Sequence, residues 1–262
     1  MIKNLVVNGC SFSEIAKFPN TASWSQVVAD QLRIDYYKNI AMGAAGNRYI
    51  AHSTIDLLEH ENLNPAETLV LIMWSGINRK DIRMSKEWWE YVQNRGYSYG
   101  AQFVLGQYPN EEYTYWMFSG GGRDHNSTAS EFFEHRYKIS DETIMCRESL
   151  EYFNLLAQYL EKRNYQYRFM SFVNYWNADY WNKDSRIFKI GEYALNYYCS
   201  NNPMYKNFDF SKWIFIDDEK NSLGEYAWST NQYDITNHPT DSAHQEYAEK
   251  FVIPKLKQEL FK

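Results

Sequence analysis

The heptapeptide TLVLIMW, Thr68 to Trp74, decides the reading of the fold. It is a continuous apolar run with no polar alternation, stopped by Ser75-Gly76-Ile77-Asn78. A strand with that pattern is covered on both faces, as in the middle of a parallel sheet. Working outward, Ile2 to Asn8 (IKNLVVN) is a second such run, ending at Gly9. Ser23 suits the N-cap of a helix carrying Trp24, Val27, Val28 and Leu32 at amphipathic spacing. Ile34 to Ile40 (IDYYKNI) reads as another strand, and a helix from about Asn47 through Leu58 follows, with Ile50, Thr54, Ile55 and Leu58 on one face. This βαβαβ rhythm predicts a three-layer, flavodoxin-like α/β fold: a parallel sheet with helices on both faces. Ligands of such sheets gather at the carboxyl ends of the strands. Three loops lie there, starting at Gly9, Ala41 and Ser75.

Past Met84 the rhythm breaks. From about 84 to 140 the chain runs through aromatic and glycine-rich pieces such as EWWEYVQNRGYSYG and YTYWMFSGGGRDHN. We read this as an insertion, either a wall or lid of a pocket or a surface subdomain with no part in chemistry. Ser140 is the expected cap of a long helix, Asp141 to Arg163, whose apolar face carries Ile144, Leu150, Phe153, Leu156 and Leu160. Tyr165 to Val173 resumes the sheet, a second aromatic segment spans about 175–205, and Lys212 to Asp217 (KWIFID) reads as a fifth strand. A last helix runs from near Asp241 to near Leu260. Together these make a single domain, 1–262.

Composition narrows the function. Net charge is −6 with no long basic run, which gives no electrostatic case for a nucleic-acid partner. No apolar stretch approaches the roughly 20 residues that span a bilayer, and Met1-Ile2-Lys3 leads straight into a strand without a signal segment. The expectation is a cytoplasmic protein with no membrane partner. Cys10, Cys146 and Cys199 are odd in number and far apart, which suits free thiols and lacks metal-ligand spacing. Gly120-Gly121-Gly122 falls inside the insertion and not between a strand and a helix, so it is read as a hinge or turn and not as a phosphate loop. No metal and no organic cofactor is expected. Aromatic residues reach 18%, and burying area is the plainer use for them, with sugar stacking the other. Trp88, Trp89, Tyr113, Tyr115, Trp116, Trp176 and Trp181 are the clustered rings in question.

Four stretches fall at the functional end in order: Gly9-Cys10-Ser11-Phe12-Ser13, Asn39 through Asn47, Gly76-Ile77-Asn78, and His238-Pro239-Thr240-Asp241-Ser242-Ala243-His244. In this respect the sequence resembles the SGNH (GDSL-like) hydrolase superfamily, whose blocks are Gly-Asp-Ser-x-Ser, an Asn- and Gly-containing second block, Gly-x-Asn-Asp, and Asp-x-x-His-Pro. The resemblance spans nearly the whole chain but rests on few positions. It implies an ester hydrolase of lipids, acyl thioesters or O-acetylated sugars, with Ser11 as nucleophile and His238 as general base; the aromatic insertion and the lack of a long apolar helix narrow the expected substrate to a small-molecule or carbohydrate ester. It also implies an oxyanion hole formed by the N–H groups of Ser11 and Ala44 and the side-chain amide of Asn78. Acyl transfer needs that set: a hydroxyl, a base to take its proton, and donors aimed at the developing charge. A plain helix-capping serine is the competing reading of Ser11.

The departures are specific. Cys10 replaces the Asp beside the nucleophile, and Arg79 stands where a second Asp is usual. Ala44 takes the place of the oxyanion glycine and serves if its φ is negative; a shift of one residue would put Gly43 there. The spacing from His238 points at Ile235, which cannot orient an imidazole, so Asp234 is the expected triad acid if the loop bulges. Asp241 and His244 form an alternative pair with Asp-x-x-His spacing. A protein of the same fold that has lost activity and binds glycan or serves a structural role is the alternative function.

Overall fold

A computed structural model of the chain describes residues 1–14, 23–77, 79–94, 100–103, 114–118, 142–174, 176 and 209–260. Strands β1 (Asn4–Asn8), β2 (Tyr36–Asn39) and β3 (Thr68–Trp74) alternate with helices α1 (Trp24–Leu32) and α2 (Asn47–Glu61). Next come β4 (Asp81–Met84), α3 (Lys86–Gln93), β5 (Gly100–Phe103) and β6 (Thr114–Phe118). Helix α4 (Glu142–Lys162), β7 (Gln166–Ser171), α5 (Leu223–Ser229), α6 (Asp241–Tyr247) and α7 (Ile253–Leu260) complete the described elements.

The central sheet is parallel, in the order β2-β1-β3-β7. All seven residues of β3 are buried, as its unbroken apolar run requires. Helix α2 packs against α4, while α1 packs against α6 and the turn that follows it. Helical layers thus flank the sheet, in the predicted three-layer arrangement. Ser23 caps α1 as expected, its side chain accepting from the Gln26 N–H. The chain leaves β1 toward β2 on one side and toward β3 on the other. The carboxyl ends of β1 and β3 therefore form the switch point where open α/β sheets bind ligands.

Three expectations are corrected. The fifth strand contracts to one parallel bridge, Phe169 to Trp213, held by Phe169 N–H to Lys212 O and Ile214 N–H to Phe169 O, each 2.8 Å. Beyond it Ile216 N–H turns inward to Asn221 O at 2.9 Å, so the segment leaves the sheet edge. On α4, Ile144 is exposed and Cys146 takes its place in the buried face with Leu150, Phe153, Leu156 and Leu160; Cys146 lies one helical turn before Leu150, whereas Ile144 does not. The last helix is interrupted by a wide π-type turn, Ala248–Val252, where the Ile253 N–H reaches Ala248 O. Pro254 follows at once; it has no N–H, and its ring would press on the carbonyl four residues back in a regular helix.

The described part of 84–140 forms a second, antiparallel sheet in the order β4-β6-β5. The expected Ser140 cap, the Gly120–Gly122 turn and most of segment 175–205 lie outside the described residues. Of the clustered rings, Tyr115, Trp116 and Trp176 are core, Trp88 is 62% exposed, and Tyr113 and Trp181 lie outside the described residues. Trp176 meets Trp213 edge-on at 5.1 Å, and Phe153 joins Trp213 to Trp74 at 5.6 and 4.5 Å. Burial is the main use of these rings, and such edge-on pairs add to it.

Candidate active site

Ser11 sits on the turn that leaves β1 at the switch point. The turn is locked from below by Asn8, which is fully buried. Its amide donates to Ile50 O (3.0 Å), Ser53 Oγ (2.8 Å) and Thr54 Oγ1 (3.0 Å), all on α2, and its Oδ1 accepts the Gly9 N–H at 2.8 Å. Position 9 has no room for a side chain: a Cβ there would lie 2.7 Å from Ser13 Oγ and 2.9 Å from Met73 O. The N–H groups of Ser13 and Glu14 close the turn on Cys10 O, at 2.8 and 3.0 Å. Cys10 itself is a fully buried free thiol filling core space.

The opposing element is the tight loop between α5 and α6. Tyr233 bridges Pro239, and the Thr240 N–H reaches Gln232 O at 2.9 Å, pinching the loop at its base. Asn237 takes a left-handed conformation (φ 61°), which suits its short polar side chain. Thr240 then caps α6. This presents His238 toward Ser11, and His238 Nε2 lies 2.8 Å from Ser11 Oγ. Phe12 packs on the imidazole with ring centroids 5.2 Å apart and on Phe172 at 4.9 Å, giving the ring an apolar wall. The Ser11 hydroxyl thus meets an imidazole nitrogen and caps no helix among the described residues.

Asp234 does not touch the imidazole. Its Oδ1 accepts the N–H groups of Thr236 (2.7 Å) and His238 (3.0 Å) and lies 2.6 Å from Thr236 Oγ1. Thr236 Oγ1 is in turn 2.8 Å from His238 Nδ1. Partial burial favours the neutral acid, but the Thr236 hydroxyl and the two N–H donors outweigh it and hold the Asp234 carboxyl below its usual range. Ile235 is fully exposed, at the position where the resemblance looks for an acid. Thr236 is the residue the sequence reading missed. Its signal was available: Asp-Ile-Thr-Asn-His has a hydroxyl two residues before the histidine, inside an Asx-type turn.

The alternative pair is not assembled. Asp241 opens α6 and is exposed, while His244 Nδ1 accepts the Trp24 backbone N–H at 3.3 Å. Burial, with a smaller contribution from His238, lowers the His244 pKa to about 4. Between 6.5, its ordinary value, and about 4 the unfolded chain therefore binds more protons than the folded one. His244 withdraws stability as pH falls through that window. The buried carboxyls act in the opposite sense. Burial raises Asp81 to about 6 and Glu225 to about 7, so each withdraws stability as pH rises from the ordinary carboxyl value toward those figures. In urea titrations, His244→Gln should flatten the loss of stability on acidification from pH 6.5 to 4; an unchanged slope would remove His244 as its cause.

The second loop carries Ala44 with φ +67°, opposite to the negative value expected. Left-handed backbone at a residue with a Cβ is strained, by about 1–2 kcal/mol. The loop is held in that shape. The Met42 N–H reaches Gly9 O (3.2 Å), the Ala45 N–H reaches Met42 O (3.2 Å), and Asn39 Oδ1 accepts the Ala41 N–H (2.9 Å). Buried Asp81 takes the N–H groups of Gly46 and Tyr49, both at 2.8 Å, and so fixes the start of α2. Ala44→Gly should raise the unfolding free energy by about 0.5–1 kcal/mol, net of the added freedom of the unfolded chain. A lower urea midpoint would mean that the lost methyl packing outweighs the strain.

Asn78 lies outside the described residues. Its neighbour Arg79 donates to Ala45 O at 3.2 Å and lies over the Phe172 ring at 5.5 Å, tying the third loop to the second. The described residues contain no cluster of metal-binding side chains. None of their helices is long and apolar enough to cross a membrane.

No protein-family model and no curated protein sequence matches the chain. Solved structures do. TesA superposes with a TM-score of 0.50 at 12% identity, covering 97% of this chain and 98% of its own. The psychrotrophic esterase EstA from Pseudoalteromonas sp. gives 0.51 at 10% identity, covering 99% and 100%. The likeness is one of fold. The match covers 97–99% of the chain, in which the turn after β1 faces the loop before α6.

Proposed function

We propose that this protein is a serine esterase that hydrolyses a small acyl ester through an acyl-Ser11 intermediate. The observation that carries the reading is the 2.8 Å contact between Ser11 Oγ and His238 Nε2. A glycan-binding or structural relative of the fold has no need of it. In the reaction, His238 Nε2 takes the hydroxyl proton as Oγ bonds to the ester carbonyl carbon. The negative charge moves to the carbonyl oxygen, where preorganised donors are worth about 3–4 kcal/mol each. The resemblance assigns those donors to the N–H groups of Ser11 and Ala44 and the Asn78 amide. Ala44 lacks the negative φ on which this role was conditional, and Gly43 is the alternative donor from the same loop. Collapse of the tetrahedral species returns the proton from Nε2 to the leaving alkoxide, and a water repeats the sequence to release the acid.

The narrower candidate substrate is an O-acetylated carbohydrate. The exposed Trp88, in edge contact with the partly exposed Tyr91 at 5.3 Å, offers a ring surface of the kind sugars stack on. EstA was crystallised inhibited by monoethylphosphonate, which recommends a phosphonate as the probe. A fluorophosphonate should label the folded wild type and leave Ser11→Ala unlabelled. Absence of labelling in the folded wild type would remove the hydrolase reading and turn attention to glycan binding. If labelling occurs, acetylated sugars screened against short aliphatic esters decide the substrate class.

A further inference from the structure

We propose that Thr236 sets the tautomer of His238 and so makes its Nε2 the basic nitrogen. The chain of contacts leaves little freedom. An ionised carboxylate only accepts, so the Thr236 hydroxyl proton, 2.6 Å from Asp234 Oδ1, points at the carboxylate. A hydroxyl has one proton. Toward His238 Nδ1, 2.8 Å away, Thr236 Oγ1 therefore presents a lone pair, and Nδ1 must carry the ring hydrogen. In the neutral imidazole Nε2 is then bare and faces the Ser11 hydroxyl at 2.8 Å.

The hydroxyl is needed because the acid is misplaced. Asp234 stands four residues before His238, and its Oδ1 is engaged with the backbone N–H groups of Thr236 and His238 within the turn that Asn237 closes. From there the carboxylate does not reach the ring, and Thr236 spans the gap. No proton passes along the chain during the reaction: the imidazolium formed when Ser11 gives up its proton keeps its Nδ1–H on Thr236, and Asp234 stays ionised. Thr236 is thus a positioning residue, acting on the ester only through His238.

For its kinetic consequence the proposal rests on the hydrolase reading, and for its spectroscopic consequence it does not. Thr236 is exposed, so Thr236→Val replaces the hydroxyl by a methyl of similar size without disturbing the core. The test uses protein labelled with ¹⁵N in its histidine rings, observed near pH 8, where ordinary imidazoles are neutral, with His238 assigned by comparison with His238→Gln. Wild type and Thr236→Ser should show His238 protonated at Nδ1, and Thr236→Val a marked shift toward protonation at Nε2. Fluorophosphonate labelling should slow by about 10- to 100-fold in Thr236→Val and return to within about 3-fold of wild type in Thr236→Ser. This loss is smaller than the roughly 10⁴-fold seen when a buried triad acid is neutralised, because water replaces part of the contact in an exposed loop. A wild-type His238 protonated at Nε2, or a Thr236→Val ring with an unchanged tautomer, would overturn the assignment. The expected tautomers in a protein that no phosphonate labels would uphold it while removing the hydrolase reading.

Discussion

Ser11→Ala should lower kcat for a short acyl ester by about 10⁴- to 10⁶-fold, and His238→Ala by a similar factor. The two residues act as one unit, since the serine is a weak nucleophile without a base and the imidazole has no proton to take without the serine. The double variant should therefore be scarcely slower than either single one. Ser11 is half-buried and its hydroxyl bonds only His238 among the described residues, so the alanine variant should keep its urea midpoint. Losses that multiplied in the double variant would mean that the two groups act independently and that their contact has no part in the chemistry. An alternative base is also tested here. His244 is turned toward the Trp24 N–H, so His244→Gln should leave kcat within a few-fold of wild type.

Asn8→Ala should cost about 3 kcal/mol of folding stability, the largest loss expected from a polar substitution near the site. The two amide hydrogens are shared among three acceptors on α2, and the amide oxygen satisfies the Gly9 N–H, all within the core. Each such bond contributes about 1 kcal/mol net, and a buried N–H left without an acceptor costs at least as much. Asn8→Asp, of the same size, should fare no better. The Ser53 and Thr54 hydroxyl protons are already given to Tyr49 O and Ile50 O, so the carboxylate would face three acceptors. Urea unfolding followed by tryptophan fluorescence measures both variants. A change below about 0.5 kcal/mol in each would show that the turn before Ser11 is held by packing at Gly9 and not by this network.

Much of the scaffold was legible in local pattern. The apolar runs ending at Asn8 and Trp74 specify strands covered on both faces, and Ser23 before an amphipathic run specifies a capped helix; these signals are complete within a few residues. The order of strand, helix and loop also placed Ser11 and His238 at the functional end. KWIFID failed because its apolar residues pack as rings around Trp213 while only one bridge forms, and strand pairing is decided by the neighbouring edge. Ile144 failed because the face a long helix buries is chosen by what covers it.

By itself the sequence determined the parallel α/β scaffold, since hydrophobic periodicity is a local property, and the resemblance supplied the candidates for the chemistry. Only the tertiary structure decided how they meet. Side-chain direction in a loop is fixed by contacts between segments more than 200 residues apart, so spacing alone could not show that His238 and not His244 reaches Ser11. The left-handed Ala44 is imposed by the loops around it. The same holds for Asp234, which its turn keeps away from the ring, leaving the Thr236 hydroxyl to make the contact expected of an acid.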